Sequence, residues 1–343
     1  MHLIKQETKM INGYAAYKAK EELKPLSYEP KELKTNEVEI KVTHCGICHS
    51  DLHLIDNDWM MSSYPFIPGH EVSGTVVRLG DGVKHLQTGD RVGLGWQAGS
   101  CHTCEQCESG HENLCASSQG TCVGRHGGYA DHVIADAAFA IKIPAAMESE
   151  FAGPLMCGGV TVFSPLRKFG VKKGTKVAVI GIGGLGHMAI QFAAKMGAEV
   201  TAISTSDSKR EEAFSFGATG FINSRKEPDF AAHAEKFDFI VSTVFASMNW
   251  QALVNTLRPR GELCFVGALG IPVEVSAFSL LTRERKISGS AIGSPGMLEE
   301  MLEFAATHGV RPMIEKMPMK DVNLALKKVA DNTVRYRMVL VND

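Results

Sequence analysis

Residues 176–205, KVAVIGIGGLGHMAIQFAAKMGAEVTAIST, run from an apolar strand through a glycine turn into an amphipathic helix and on to a second apolar strand. Strands that are apolar along their whole length, as VAVI and VTAI are, belong to a parallel sheet covered on both faces. Strand, turn, helix and strand in that order form the unit of a doubly wound α/β domain. FDFIVSTV (237–244) and GELCFVGA (261–268) read as further strands of the same sheet, with a helical segment at 250–257. The glycine turn GIGGLG carries Gly181, Gly183 and Gly186 at the spacing a phosphate loop requires. The first makes the turn, the second lets a pyrophosphate approach, and the third lets helix pack on strand. With Gly184 and Leu185 between them, these residues form a candidate dinucleotide site on the free N–H groups of the following helix.

The end of the second strand, expected at Ile203, bears on the choice of dinucleotide. An NAD-preferring site places an acidic residue there for the ribose hydroxyls. This chain has Ser204-Thr205-Ser206-Asp207-Ser208-Lys209-Arg210 instead. Hydroxyls and a nearby cation would receive a 2′-phosphate, so NADP(H) is the expected cofactor. Asp207 is the one contrary feature, and it falls three positions too late to take the acidic role.

A chain of 343 residues exceeds one ordinary core and points to two domains. The part before residue 151 reads as short strands with frequent glycine turns, as in an irregular β-barrel, including 38–46 and 70–80. No internal repeat or low-complexity segment is evident. A formal net charge of -2 gives no general field for nucleic acid or an anionic membrane. No run approaches the roughly 20 apolar residues needed to span a bilayer. The opening residues lack the apolar stretch of a signal peptide, so a cytoplasmic location is expected.

In a reducing compartment, clustered cysteines point to metal rather than disulfides. Four of the nine cysteines, Cys101, Cys104, Cys107 and Cys115, fall in GSCHTCEQCESGHENLC. Four thiolates close a zinc site without leaving a position open, so this one is expected to be structural. An iron–sulfur cluster would need longer or differently placed intervals. His102 and His111 read as exposed bystanders, and Cys122 and Cys264 as ordinary buried thiols.

CGICHSDLH (45–53), PGHE (68–71) and the cysteine of PLMCGGVTVFSPL (Cys157) complete the pattern. Spacing alone does not bring them together. In combination they resemble the zinc-containing medium-chain alcohol dehydrogenases, in particular the cinnamyl alcohol dehydrogenase-like branch with its bacterial NADP-linked aldehyde reductases. The resemblance covers nearly the whole chain. It implies that Cys48, His70 and Cys157 hold a catalytic zinc, the cysteine before H-S-D being chosen over Cys45. It places Glu71 behind the metal, or has it replace the metal's water transiently, and has Asp51 orient His70. It also implies a proton relay through Ser50 to His53, a pyrophosphate contact from His49, and 2′-phosphate contacts from Ser204, Thr205 and Lys209, with Ser206 beside them.

The fold so implied is α/β, a doubly wound Rossmann domain inserted in a GroES-like, mostly β catalytic domain. The expected boundaries are 1–153 for the catalytic domain, 154–289 for the NADP-binding domain and 290–343 for the return. The expected activity is hydride transfer between NADPH and a zinc-bound primary alcohol or aldehyde, medium-chain or aromatic, with two Zn2+ per subunit. Trp59 and Trp96, with Met60 beside them, either wall an apolar cleft or pack in the core. A homodimer through the edge at 286–292 is expected, with a tetramer as the alternative. The competing readings are a zinc-free quinone or enoyl reductase, which would lack the ligands, a non-catalytic nucleotide-binding protein of the same fold, and a glutathione-dependent formaldehyde dehydrogenase, which would carry the missing acidic residue.

Overall fold

The computed structural model describes residues 10–227 and 230–342. The chain divides into two compact units. The first runs to Cys157 and takes in Ser294–Leu302 and the chain from Ile314; the second is Gly158–Gly293 with Glu303–Met313. The segment after residue 290 therefore alternates between the units, and the helix Pro295–His308 contributes its first half to one and its second half to the other.

The first unit is built on a seven-stranded sheet. Its path runs Ile314–Pro318, Arg337–Val341, Glu37–Ile47, Glu71–Leu79, Arg91–Leu94 and Ala140–Lys142, with His132–Asp136 paired off this path to Glu37–Ile47. All pairings are antiparallel except that of the first two strands. Register slips between Glu37–Ile47 and Glu71–Leu79 mark bulges, which bend and twist a sheet toward barrel form. Val38, Ile40, Val42, Val72, Val76, Val92 and Leu94 fill the interior. At the ends of the central pair, Cys45 faces Val72 and Gly46 faces Glu71, so the register delivers the 45–53 and 68–71 motifs to the same corner.

The second unit holds a six-stranded sheet, all parallel, in the order Gly220–Asn223, Glu199–Ser204, Lys176–Ile180, Phe237–Ser242, Leu257–Phe265, Lys286–Gly289. Numbered by sequence within the unit, this is the 3-2-1-4-5-6 order of a doubly wound dinucleotide fold, whose ligand crevice opens where the order reverses, at the first strand. The strand Lys176–Ile180 buries four consecutive side chains, as the unbroken apolar run requires. The second strand extends one residue beyond the expected Ile203 and ends on Ser204, which pairs with Asn223. Among the described residues, no helix is long and apolar enough to cross a membrane.

Candidate active site

Cys48 is the N-cap of the helix His49–Asp56, and its backbone N–H donates to Asp51 Oδ2 at 2.9 Å. The same carboxylate closes a second loop. Its Oδ1 accepts from Gly69 N–H at 3.1 Å and from His70 Nδ1 at 2.9 Å. Asp51 and His70 are both fully buried. Gly69 takes φ +99, and a Cβ there would run into Tyr129, so the turn before His70 depends on glycine.

The third arm comes from the helical segment after Ser149. Between the helices Ser149–Pro154 and Val160–Phe169 the chain widens into a π-helical turn, Leu155–Gly159, with Cys157 at its centre. Such turns occur preferentially at functional sites. The ligand atoms of Cys48, His70, Glu71 and Cys157 all lie within 4.8 Å of one another, and all four residues are buried. Among the described residues, His70 Nε2 has no hydrogen-bond partner. A buried ring nitrogen without a partner is costly unless something else meets it, and two sulfurs and a nitrogen are the donors zinc takes in an open site. The residues therefore fit a zinc ion. Cys45, three residues earlier and still in the strand Glu37–Ile47, points to the Gly46 carbonyl instead, at 3.7 Å.

The electrostatics follow from the crowding of these groups in a dry place. A hydrogen bond from Cys157 holds Cys48 well below the usual thiol range, and the same bond pushes Cys157 well above it. Burial opposes protonation of His70, but the Asp51 carboxylate and the Cys157 sulfur together outweigh it and raise its pKa. Burial also raises Glu71, to about 7, against the pull of the Arg337 guanidinium. Arg337 donates to Glu71 Oε1 from within the strand Arg337–Val341, and both side chains are buried. A Cβ at Gly46 would collide with Glu71 Oε2, so glycine there makes room for the carboxylate. Neither Arg337 nor Gly46 was singled out in sequence; the signal for the first was a charged residue opening an otherwise apolar strand. Cys122, which reads in sequence as an ordinary buried thiol, also approaches this corner, forming a second close group with Asp51 and His70.

The remaining candidates lie around this corner. Ser50 Oγ lies 3.6 Å from Cys48 Sγ. His53 faces solvent in the last turn of the same helix, with Nδ1 2.8 Å from Asp58 Oδ2. His49 is half-buried at the first helical position, and burial holds its pKa down. A ladder of rings runs across this side: His70 to Trp96 edge-on with centroids 5.0 Å apart, Trp96 to Trp59 at 6.1 Å, and Trp59 to His53 at 5.1 Å. Trp96 thus stands against a proposed metal ligand, and neither tryptophan belongs to the fully buried core. Met60 is almost wholly exposed.

The lobe at 101–115 gathers its four cysteines. Sγ–Sγ separations are 3.6 Å for Cys104–Cys107, 3.8 Å for Cys104–Cys115, 3.6 Å for Cys101–Cys115 and 3.9 Å for Cys101–Cys107. Four thiolates placed about 2.3 Å from a tetrahedral zinc would stand about 3.8 Å apart, and all the cysteines are free thiols, so the lobe fits a closed metal site. His102 and His111 are exposed; His102 Nε2 lies 2.7 Å from Asp136 Oδ2.

In the second unit the glycine loop sits at the carboxyl end of the first strand. Gly181 takes φ +90, and a Cβ on Gly186 would collide with the Gly181 carbonyl. Among the described residues, a Cβ on Gly183 would meet nothing within 4 Å, so no neighbour there requires glycine. A ligand pressed against that face would, and the loop fits a pyrophosphate. Gly184 and Leu185 lead into the helix Gly186–Lys195. Ser204 is buried, Thr205 is exposed and Ser206 caps a short turn by accepting from Ser208 N–H. Lys209 Nζ reaches back to the Ile182 carbonyl at 2.6 Å, which joins the end of the second strand to the glycine loop. Asp207, the contrary residue, is occupied by Lys226 at 2.6 Å and Arg210 at 3.2 Å. The Lys226 ammonium holds its pKa down at about 2.

A barrel-like unit carrying this sulfur and nitrogen corner, together with a parallel dinucleotide-type sheet, defines a metal-binding dehydrogenase class. The chain belongs to the medium-chain alcohol dehydrogenase and aldehyde reductase family, in its cinnamyl alcohol dehydrogenase-like branch. Residues 34–145 match the alcohol dehydrogenase GroES-like domain, and residues 184–307 match the zinc-binding dehydrogenase domain. The chain is 45% identical to aldehyde reductase AdhA of Synechocystis sp. over 331 residues, 96% of this chain and 98% of that one. The structure of a Sorghum bicolor cinnamyl alcohol dehydrogenase superposes with TM-score 0.92 at 38% identity, covering 97% of this chain and 98% of that one. A CAD from Helicobacter pylori, solved with NADP(H), gives TM-score 0.88 at 32% identity over the same shares.

Proposed function

We propose that the protein is a zinc-dependent, NADP(H)-linked alcohol dehydrogenase and aldehyde reductase acting on primary alcohols and aldehydes of medium-chain or aromatic type. The observation that carries this reading is the buried convergence of Cys48, His70 and Cys157, with His70 Nε2 unpartnered and Asp51 behind the ring. Zinc, when bound, would supply Lewis-acid polarisation of the substrate oxygen, with NADPH as the hydride donor.

The remaining work falls to side chains. Cys48 and Cys157 bring negative charge to the site. Asp51, as the acceptor for Nδ1–H, keeps His70 in the tautomer that leaves Nε2 a lone pair. Ser50 holds the proton exchanged with the substrate oxygen, and His53 passes it to solvent, steadied by Asp58. Trp96 and Trp59, set edge to face, offer an apolar aromatic wall that excludes water and suits medium-chain or aromatic substrates. Glu71, anchored by Arg337, sets the charge behind the thiolates.

For the cofactor, Gly181, Gly183, Gly184, Leu185 and Gly186 receive the pyrophosphate, with His49 as a further contact. Ser204, Thr205, Ser206 and Lys209 receive the 2′-phosphate; the Helicobacter pylori relative's complex with NADP(H) supports this choice. Cys101, Cys104, Cys107 and Cys115 hold a second, structural zinc, giving two per chain. A homodimer in the cytoplasm is proposed. Its contact would be the outermost strand Lys286–Gly289, in which Ile287 is exposed, as are Phe278 and Leu281 of the preceding helix Ala277–Leu281.

The test is a comparison of initial rates with NADPH and NADH against cinnamaldehyde, benzaldehyde and acetaldehyde, with zinc analysis of the same preparation. NADPH is expected to be preferred and two zinc ions found. Equal use of NADH would remove the cofactor assignment, and full activity with only one zinc would remove the catalytic site.

A further inference from the structure

We propose that His187 is a positioning residue for the pyrophosphate. It fixes the Gly183–Gly184 peptide so that the Gly184 N–H faces out of the glycine loop. The proposal rests on the reading of that loop as the cofactor site.

His187 directly follows the last glycine of the motif, is fully buried, and lies outside the relay proposed above. Its Nδ1 lies 2.8 Å from the Gly183 carbonyl oxygen. That oxygen can only accept, so Nδ1 carries the proton. Its Nε2 lies 3.0 Å from the Met313 backbone N–H, which can only donate, so Nε2 is the acceptor. The two contacts define a neutral imidazole in a single tautomer.

The Gly183 carbonyl also receives the His187 backbone N–H at 3.2 Å, so two donors from one residue hold it against the helix. In a planar trans peptide the carbonyl and the following N–H point to opposite sides. Drawing the Gly183 oxygen toward the helix therefore turns the Gly184 N–H away from it. The face at Gly183 is open, with nothing within 4 Å of an added Cβ. An N–H aimed outward at the start of a helix is what binds a phosphate oxygen.

The imidazole is itself anchored. One turn further along the helix, Gln191 makes both amide bonds to the Arg311 backbone, donating to its carbonyl at 2.9 Å and accepting from its N–H at 3.2 Å. His187 and Gln191, four residues apart and so on one helix face, together hold the backbone at 311–313. The Phe216 ring packs 5.6 Å from the imidazole centroid. The side chain that orients the loop thus cannot swing.

Two substitutions separate the contacts. In H187N the side-chain amide lies near the former Nδ1 and keeps a donor for the Gly183 oxygen. In H187Q the amide lies near the former Nε2, which keeps an acceptor for Met313 but loses the Gly183 contact. Titration calorimetry of the isolated protein with NADPH, and separately with adenosine 2′-monophosphate, reads the difference. H187N is expected to bind NADPH within about twofold of the wild type, and H187Q about five- to tenfold more weakly, the effect of one hydrogen bond. Adenosine 2′-monophosphate has no pyrophosphate, so its affinity is expected to be unchanged in both. Unchanged NADPH binding by H187Q, equal losses in the two variants, or a parallel loss for the monophosphate would each overturn the proposal. If the variants do not fold, 15N-histidine NMR of the wild type decides: a proton on Nδ1 supports the assignment and a proton on Nε2 overturns it. A wild type that binds neither NADPH nor NADH removes the cofactor reading itself, which distinguishes that failure from failure of the His187 role.

Discussion

Asp51 Oδ1 stands 2.9 Å from His70 Nδ1, and its other oxygen caps the helix that Cys48 begins, so one carboxylate aims the imidazole and sets the adjoining thiolate. In D51N the amide can offer one acceptor oxygen where the carboxylate offers two, and its negative charge is gone. Loss of such a partner behind a metal-bound histidine lowers metal affinity by about 10- to 100-fold. Competition with a chelator is expected to strip one zinc from D51N far more readily than from the wild type, while the second zinc stays. Equal resistance would mean that the contact does not support the metal.

The two sulfur sites are expected to fail in different ways. C48A removes a ligand from the open corner, so turnover should fall below detection while the melting temperature changes little and one zinc remains. C107S opens the closed lobe, where the proposed second zinc would stabilise a loop built from short turns. Its expected signature is a lower melting temperature, with loss of activity following loss of fold. Differential scanning calorimetry with metal analysis of both variants separates the two. A C48A protein that still turns over would sink the catalytic assignment.

Lys209 already bridges the second strand and the glycine loop, and Asp207 beside it is neutralised by Lys226 and Arg210. A charge-assisted contact to a 2′-phosphate contributes about 1.5–3 kcal/mol. K209A should therefore raise the KM for NADPH by about 10- to 100-fold and leave that for NADH nearly unchanged. S204D should invert the preference by setting a carboxylate against the phosphate while offering it to the ribose hydroxyls. Steady-state kinetics with both cofactors measures this. A K209A enzyme that loses NADH and NADPH alike would show that the lysine only holds the loop.

The fold was legible because its signals are local. The unbroken apolar run at 177–180 and the glycine turn that follows are properties of contiguous residues, and the structure answers both with a buried parallel strand and a loop at positive φ. The C-x-x-C spacings of the 101–115 lobe are local in the same sense. Cys157 is different. It reaches Cys48 and His70 only through a π-helical turn, and nothing in LMCGG distinguishes that turn from ordinary helix; only the family resemblance pointed to it. Arg337 is more distant still. Its meaning lies in a partner 266 positions away, set by the register of the strands that pair Met338 with Ile47 and Gly46 with Glu71. Trp96 could not be told from core packing by sequence, because its relevance lies in an edge-on contact with His70 that sequence does not encode locally.

That buried Arg337–Glu71 pair has a sharp consequence for stability. Removing one partner of a buried ion pair costs about 3–5 kcal/mol, because the other charge is left unpaired in a dry site. R337M should accordingly melt well below the wild type at pH 8. Burial already raises Glu71 from 4.5 to about 7 despite the guanidinium, so without it the carboxyl should hold its proton higher still. A group whose folded-state pKa is raised stabilises the fold while both states are protonated, and that stability is lost as pH climbs from the unfolded toward the folded value. The gap between R337M and wild type is therefore expected to widen from pH 5 to pH 8. Adding E71Q to R337M removes the titrating group, so the double variant should melt above R337M at pH 8 and its deficit should lose most of its pH dependence. Thermal melts of the three proteins across that range test the coupling. A deficit in R337M that does not change with pH would mean that Arg337 acts through packing alone.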